Sequence, residues 1–179
     1  MTPARANPFS TERIETILRF RPEWIGESWE AIESRLEGAG WRGAVTGPHG
    51  SGKTTFLEAL APRLRSRGFE VEMLFLNRQS RQIDESFYEV IDRDSIVLVD
   101  GSELLGPLGW RRFLRRTRRA RGMVITSHRR GRLPTLLRTR ATVPLLQRCI
   151  TALDPTFTSP SAECIFHQHR GNLREALLE

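Results

Sequence analysis

Lysine is almost missing from this chain. Of 28 basic residues in 179, only Lys53 is a lysine, and every other positive charge is an arginine. Long apolar runs are also missing: Ile96 to Val99 is typical of the longest, far short of the roughly 18 residues a membrane span requires. The opening MTPARANPFS has no apolar core of the signal-peptide kind, so the expectation is a cytoplasmic chain with no membrane partner. Cysteine is scarce, and Cys149 and Cys164 show no metal-ligand spacing. Both are expected to be reduced and partly buried. Acid is absent over one long stretch, with no Asp or Glu between Glu103 and Asp154.

That last gap divides the chain electrically. Up to Glu103 there are 13 basic and 17 acidic residues; from Leu104 onward there are 15 basic and 4 acidic, and the total is +7. A surplus confined to one segment points to a basic face suited to nucleic acid or an acidic partner.

Hydrophobic periodicity supplies the organisation. Residues 1–25 carry Pro3, Pro8 and Pro22 and read as an irregular arm with at most one short helix. Ile25, Trp29, Ile32 and Leu36 share a helical face, and Gly38 and Gly40 follow as stop signals. WRGAVTG is a short strand. Phe56, Leu57, Leu60, Ala61 and Leu64 form the next helical stripe, which Pro62 should kink or divide.

Phe69, Val71, Met73 and Phe75 alternate as in a strand, and Ile83, Phe87, Val90 and Ile91 suggest a helix. SIVLVDG and GMVITSH are continuous apolar runs of the buried parallel kind, and LPTLLRT is a candidate fifth strand. Between the two buried runs, Trp110, Phe113, Leu114 and Thr117 mark a helix whose other faces are nearly all arginine. Helices complete the chain, one with Leu145, Leu146, Cys149, Ile150 and Leu153, another expected to start at Ser159–Pro160. Strands alternating with helices predict an α/β three-layer sandwich on a mainly parallel sheet, with a small C-terminal helical lid. The expected division is an arm over 1–25, a core over 26–141 and a lid over 142–179.

The chemistry concentrates in GPHGSGKTT. Gly47 to Thr54 fits G-x-x-x-x-G-K-[ST] between a strand and an apolar-striped helix, the context its mechanism requires. The glycines let successive N–H groups wrap a phosphate at a helix N-terminus. Gly47, Pro48, His49, Gly50, Ser51, Gly52, Lys53, Thr54 and Thr55 are therefore the expected nucleotide cradle. His49 and Ser51 are read as loop residues giving backbone N–H. Lys53 suits the β- and γ-phosphates because a slim ammonium fits where the wide guanidinium fork of arginine does not. Thr54 would place its hydroxyl on Mg²⁺. Asp100 closes a buried strand about 45 residues later and is a second candidate metal ligand. Its alternative is a plain Asp-Gly turn.

Together these stretches resemble the Walker A, Walker B and sensor 1 elements of P-loop ATPases with an additional catalytic glutamate, and among them the AAA+ ATPases. The resemblance implies that His128, at the end of GMVITSH, touches the γ-phosphate; otherwise it is a polar strand end in solvent. GNLREAL resembles a lid segment in which an arginine, here Arg174, reaches the nucleotide; otherwise Arg174 is a surface residue. The implied activity is Mg²⁺-dependent ATP hydrolysis coupled to a macromolecular partner, in a chain able to form a homo-oligomer. One departure matters. AAA+ proteins carry Glu directly after the Walker B Asp, whereas Gly101 stands here and the nearest carboxylate is Glu103. Glu103 is either the base for the attacking water or a charge favouring the next helix.

Three uses compete for the basic Arg111–Arg140 segment. It is a solvated face, a phosphate-backbone binder, or the source of a finger arginine (Arg129, Arg130, Arg132, Arg138 or Arg140) for a neighbouring subunit. Two further readings of the whole chain stay open: a small-molecule or nucleotide kinase, and a nucleotide-binding switch with little turnover.

Overall fold

The computed structural model describes residues 17–77, 82–129, 131–156 and 162–178. After a 3₁₀ turn at Pro22–Ile25 come α1 (Trp29–Gly38), β1 (Arg42–Thr46), α2 (Lys53–Ser66), β2 (Glu70–Phe75), α3 (Glu85–Glu89) and β3 (Ser95–Asp100). A second 3₁₀ turn, Ser102–Leu104, leads to α4 (Pro107–Arg116), β4 (Gly122–Ser127) and β5 (Thr135–Arg138). The helices α5 (Val143–Leu153), α6 (Ala162–Gln168) and α7 (Leu173–Leu178) follow.

The five strands form one parallel sheet in the order β2-β3-β4-β1-β5. β3 and β4 are buried along nearly their whole length, as their uninterrupted apolar runs require. One face of the sheet is covered by α1 and α2 through Ile32, Leu36, Phe56, Leu57 and Leu60. The other is covered by α3 and α4 through Phe87, Tyr88 and Phe113, with Ile91 and Leu105 from the segments beside them. The expected three-layer α/β sandwich is the observed one. Phe56 is fully buried, so Phe56→Ala would cost about 3–5 kcal/mol through lost burial and the cavity left behind.

Local chemistry fixes the helix ends. Ser28 caps α1, its Oγ accepting from the Ala31 N–H at 3.2 Å. Beyond α1, Gly40 adopts φ +66 and turns the chain toward β1. Thr142 caps α5 in the same way, accepting from Leu145 N–H at 3.3 Å. The helical start expected at Ser159–Pro160 lies outside the described residues.

Two expectations differ from the structure. Pro62 does not divide α2, which runs unbroken from Lys53 to Ser66. Leu60, Ala61 and Leu64 on both sides of it are buried against the sheet, and that packing outweighs the missing backbone hydrogen bond. The alternation read over Phe69 to Phe75 is strand β2, with Val71 buried and Phe75, at the end of this edge strand, 51% exposed. Cys164 is exposed rather than partly buried, whereas Cys149 is buried and its thiol pKa is pushed up to about 11.

A third cluster joins α5, α6 and α7 through Leu146, Ile150, Leu153, Leu173 and Leu177. Residues 17–25 of the arm cross between this cluster and the sheet. Trp24 packs on the C-terminal helices, and its carbonyl accepts from Arg148 Nη1 at 2.7 Å. Phe20 meets Trp29 and Phe56 edge-on on the sheet side. Among the described residues, no helix is long and apolar enough to cross a membrane.

Candidate functional site

β1 and β3 end at the same edge of the sheet, and the loops leaving them face each other. Between β1 and α2 the chain makes a tight turn with Gly50 at φ +65 and Gly52 at φ +85, conformations that side-chain-bearing residues rarely take. A Cβ on Gly47 would lie 2.2 Å from Thr139 Oγ1, so the loop also needs glycine to pass the end of β5. Ser51 does more than contribute a backbone N–H. Its Oγ donates to the Pro48 carbonyl at 2.8 Å and shares a 2.7 Å hydrogen bond with Thr139 Oγ1, pinning the loop.

Lys53 opens α2 and is 9% exposed. Its Nζ donates to the carbonyls of Gly47 at 2.9 Å and Pro48 at 2.6 Å, so the ammonium is held inside the curve of the loop. Burial holds its pKa below the ordinary lysine value, and the nearby charges of Glu103 and Asp100 oppose the shift. One residue on, Thr54 Oγ1 donates to Asp100 Oδ2 at 2.7 Å. The other carboxylate oxygen of Asp100 accepts from Thr126 Oγ1 at 2.5 Å. Thr126 in turn accepts from the Gly101 N–H at 2.9 Å. Thr126 belongs to no motif in the sequence; a hydroxyl within the apolar run GMVITSH, two residues before His128, is its only local signal.

Gly101 explains the departure noted in the sequence. It sits at φ +75, and a Cβ there would lie 2.7 Å from the Leu76 carbonyl oxygen, a backbone atom. No glutamate fits directly after Asp100. The chain instead turns at Gly101 into the 3₁₀ segment Ser102–Leu104, which carries Glu103 back toward the loop. Glu103 Oε1 lies 2.9 Å from His128 Nε2, and Glu103 Oε2 is buried with no hydrogen-bond partner. His128 Nδ1 lies 3.0 Å from the Gly47 carbonyl, and the His49 ring packs 3.8 Å from the His128 ring, centroid to centroid. Burial and the charge on Lys53 hold the His128 pKa below the ordinary histidine value, against the opposing pull of Glu103.

Arg132 holds this turn from behind. Its two guanidinium nitrogens donate to the carbonyls of Ser102 and Leu105, on either side of Glu103. Its charge also lies over the Trp110 ring at 4.7 Å. Of the expected finger arginines, Arg132 is thus engaged within its own chain, while Arg129, Arg138 and Arg140 are exposed. Arg130 lies outside the described residues.

A cavity of about 680 Å³ runs through these groups. Its walls include His49 to Thr55, Asp100, Glu103 and His128 from the sheet edge, and Asn172 and Arg174 from the C-terminal helices. Leu18 to Arg21, Trp24 and Ile25 of the arm line it too, a wall that the arm's irregular sequence did not announce. Asn172 touches the loop closely: a Cβ on Gly50 would fall 1.8 Å from Asn172 Oδ1. Arg174 is exposed at the start of α7, on the rim of the cavity.

Mg²⁺ suits the donors present. Thr54 and Asp100 offer a hydroxyl and a carboxylate within hydrogen-bonding distance of each other, the hard oxygen set that this ion takes. Among the described residues no group of three His, Cys, Asp or Glu is placed to hold a metal alone. A Mg²⁺ ion held by one or two protein oxygens plus substrate phosphates needs no such cage.

No protein-family model matches the chain, and no curated protein sequence matches it. Solved structures do. Replication initiator DnaA bound to AMPPCP and single-stranded DNA aligns over 91% of this chain with a TM-score of 0.61 and 14% identity. A mutant of Thermotoga maritima RuvB aligns over 84% with a TM-score of 0.54 and 16% identity. A DNA replication initiation factor aligns over 97% with a TM-score of 0.56 and 15% identity. The chain spans 61%, 60% and 63% of those three chains, respectively. At such identities the likeness is one of fold alone, a parallel five-stranded sheet covered by helices on both faces.

Proposed function

We propose that this chain binds ATP with Mg²⁺ in the cavity between the Gly47–Thr55 loop, the arm and the C-terminal helices, and hydrolyses it slowly. The observation that carries the reading is the convergence on one sheet edge of Lys53, the Thr54–Asp100 pair and the Glu103–His128 pair. Lys53 and the N–H groups at the start of α2 bind the phosphates. Thr54 and Asp100 hold Mg²⁺, which when bound offsets the negative charge of the phosphates. Thr126 orients Asp100. Glu103 accepts a proton from the attacking water as the bond to the leaving ADP breaks, and His128 positions Glu103 and faces the terminal phosphate. Residues 26–141 act as the nucleotide core and 142–179 as a lid, with Arg174 reaching the nucleotide when the lid closes.

The work done with the nucleotide falls on a macromolecular partner. The basic Arg111–Arg140 segment supports a polyanion, and the likeness to a DnaA solved with single-stranded DNA and a nucleotide analogue agrees with that assignment. The exposed Arg129, Arg138 and Arg140 suit a subunit interface in a homo-oligomer. A cytoplasmic location fits such a role.

A second reading, a nucleotide-binding switch with little turnover, is favoured by one observation: Glu103 is tied to His128, and position 101 admits no side chain. The test is nucleotide affinity together with phosphate release, for wild type and Lys53→Ala, with circular dichroism as the check on folding. Loss of nucleotide affinity in a folded Lys53→Ala supports the site, and retained affinity overturns it. Phosphate release by wild type separates the ATPase from the switch.

A further inference from the structure

The two outer layers of this molecule treat arginine differently. On the α1–α2 layer, Arg63 and Arg67 are matched to Glu33 and Glu37, acid against base. On the α4 layer, the exposed residues Arg111, Arg112, Arg115, Arg118, Arg119 and Arg121 make no ion pair among the described residues. Only the half-buried Arg116 is paired, with both carboxylate oxygens of Glu85, while Arg112 contributes to the field at Glu85. Mixed charges suffice for solubility, so a face of one sign is a field with a direction.

Phe113 is buried, Leu114 and Trp110 pack beside it, and the Thr117 hydroxyl donates to the Phe113 carbonyl, so the helix is fixed to the sheet by its opposite side. Arg111 and Arg115 follow the i, i+4 spacing of one stripe on α4, about 6 Å apart, with Arg112 beside them and Arg118 and Arg119 in the turn that follows the helix.

We infer that this face, α4 and the turn after it, is a docking surface for the backbone of double-stranded DNA. The inference names the partner of the function proposed above, but its evidence lies away from the nucleotide cavity. A polyphosphate is the counterpart of a row of unpaired guanidinium groups, because each contact releases condensed counterions. A single strand would need uncovered aromatic rings for its bases to stack on. Trp110 is already stacked against Phe113 at 5.8 Å and covered by Arg132, and the Tyr88 ring on the same layer is covered by Arg116 at 4.0 Å. Duplex RNA is disfavoured because its deep, narrow major groove excludes a helix, whereas the roughly 12 Å groove of B-DNA admits one.

The test uses the full chain and fluorescence anisotropy with four probes: a 20-base-pair DNA duplex, one of its strands, the matching RNA duplex, and poly-glutamate. Each is titrated from low to moderate salt. Duplex DNA should bind tightest, with log affinity falling against log salt at a slope near −4 to −5, as about five phosphate contacts require. Arg111→Ala/Arg115→Ala/Arg118→Ala should weaken duplex binding at least tenfold and reduce the slope by about 3. The charge-equivalent control Arg35→Ala/Arg63→Ala/Arg67→Ala on the opposite layer should change neither by more than about twofold. Equal losses in both triple variants, tighter binding of the strand, the RNA or poly-glutamate, or no duplex binding at low salt would overturn the proposal. Lys53→Ala, run in parallel, should retain duplex binding while losing nucleotide. A failure of the nucleotide reading is therefore scored separately from a failure of this surface.

Discussion

His128 Nε2 lies 2.9 Å from Glu103 Oε1, and the opposite ring nitrogen of His128 lies 3.0 Å from the Gly47 carbonyl oxygen. One imidazole therefore bridges the phosphate loop and Glu103, the carboxylate nearest in sequence to Asp100. A neutral ring has a single N–H and can satisfy one of these acceptors, while a protonated ring satisfies both. The state of that ring decides how firmly Glu103 is held.

The first consequence concerns Glu103. Glu103→Gln keeps the shape but removes the proton acceptor, so single-turnover phosphate release should fall about 10²–10⁴-fold with nucleotide affinity nearly unchanged. Rapid-quench measurement with nucleotide binding in parallel is the check. Unchanged release would remove Glu103 from the chemistry.

The second is a pH dependence. Burial and Lys53 hold the His128 pKa below its ordinary value of about 6.5, so the ring stays neutral at pH 7 and gains its proton only below that value. Protonation adds the second N–H and fastens Glu103 to His128. Phosphate release should therefore decline on the acid side with a midpoint below pH 6.5, and His128→Asn should lose that limb. An acid limb preserved in His128→Asn would assign the titration to another group.

Arg132 supplies the third. It touches no reacting group, but it donates to the carbonyls on both sides of Glu103. Arg132→Ala should lower phosphate release about tenfold while changing nucleotide affinity little, at a cost of about 1–2 kcal/mol in stability. Arg132→Lys should recover the stability better than the rate, because an ammonium cannot span two carbonyls as the planar fork does. Parallel recovery of both would reduce Arg132 to a structural role.

The fourth concerns the contact between loop and C-terminal helices. Gly50→Ala must hold φ +65 with its Cβ 1.8 Å from Asn172 Oδ1, so one of the two has to move. A loss of about 1–3 kcal/mol is expected, lowering the melting temperature by roughly 2–12 °C. Adding Asn172→Ala should recover part of it, since the clash goes but the backbone strain remains. Thermal melts of the two single variants and the double variant form the cycle, and strict additivity would deny the coupling.

Much of this was legible beforehand where the information is local. The apolar runs SIVLVD and GMVITS identified buried parallel strands, because a strand covered on both faces needs no alternation. The glycine spacing around Lys53 identified the phosphate loop because its backbone shape requires those glycines. Other features depend on partners far along the chain and leave no local pattern. Nothing near Pro62 says that its helix will be held by the sheet, and nothing in the arm says that Phe20 and Trp24 will pack on opposite sides of a cavity.

The sequence by itself determined the order of strands and helices, the cradle at Gly47–Thr55 and the segregation of positive charge after Glu103. Periodicity, glycine content and net charge are properties of neighbouring residues, so they can be read from the chain alone. Only the tertiary structure decided which groups meet. The Leu76 carbonyl forbids a side chain at Gly101, Arg132 is taken from the set of free arginines to brace the turn around Glu103, and Thr126 joins Asp100. Each of those outcomes is a contact between strands or loops tens of residues apart, and packing the sheet is what brings them within reach.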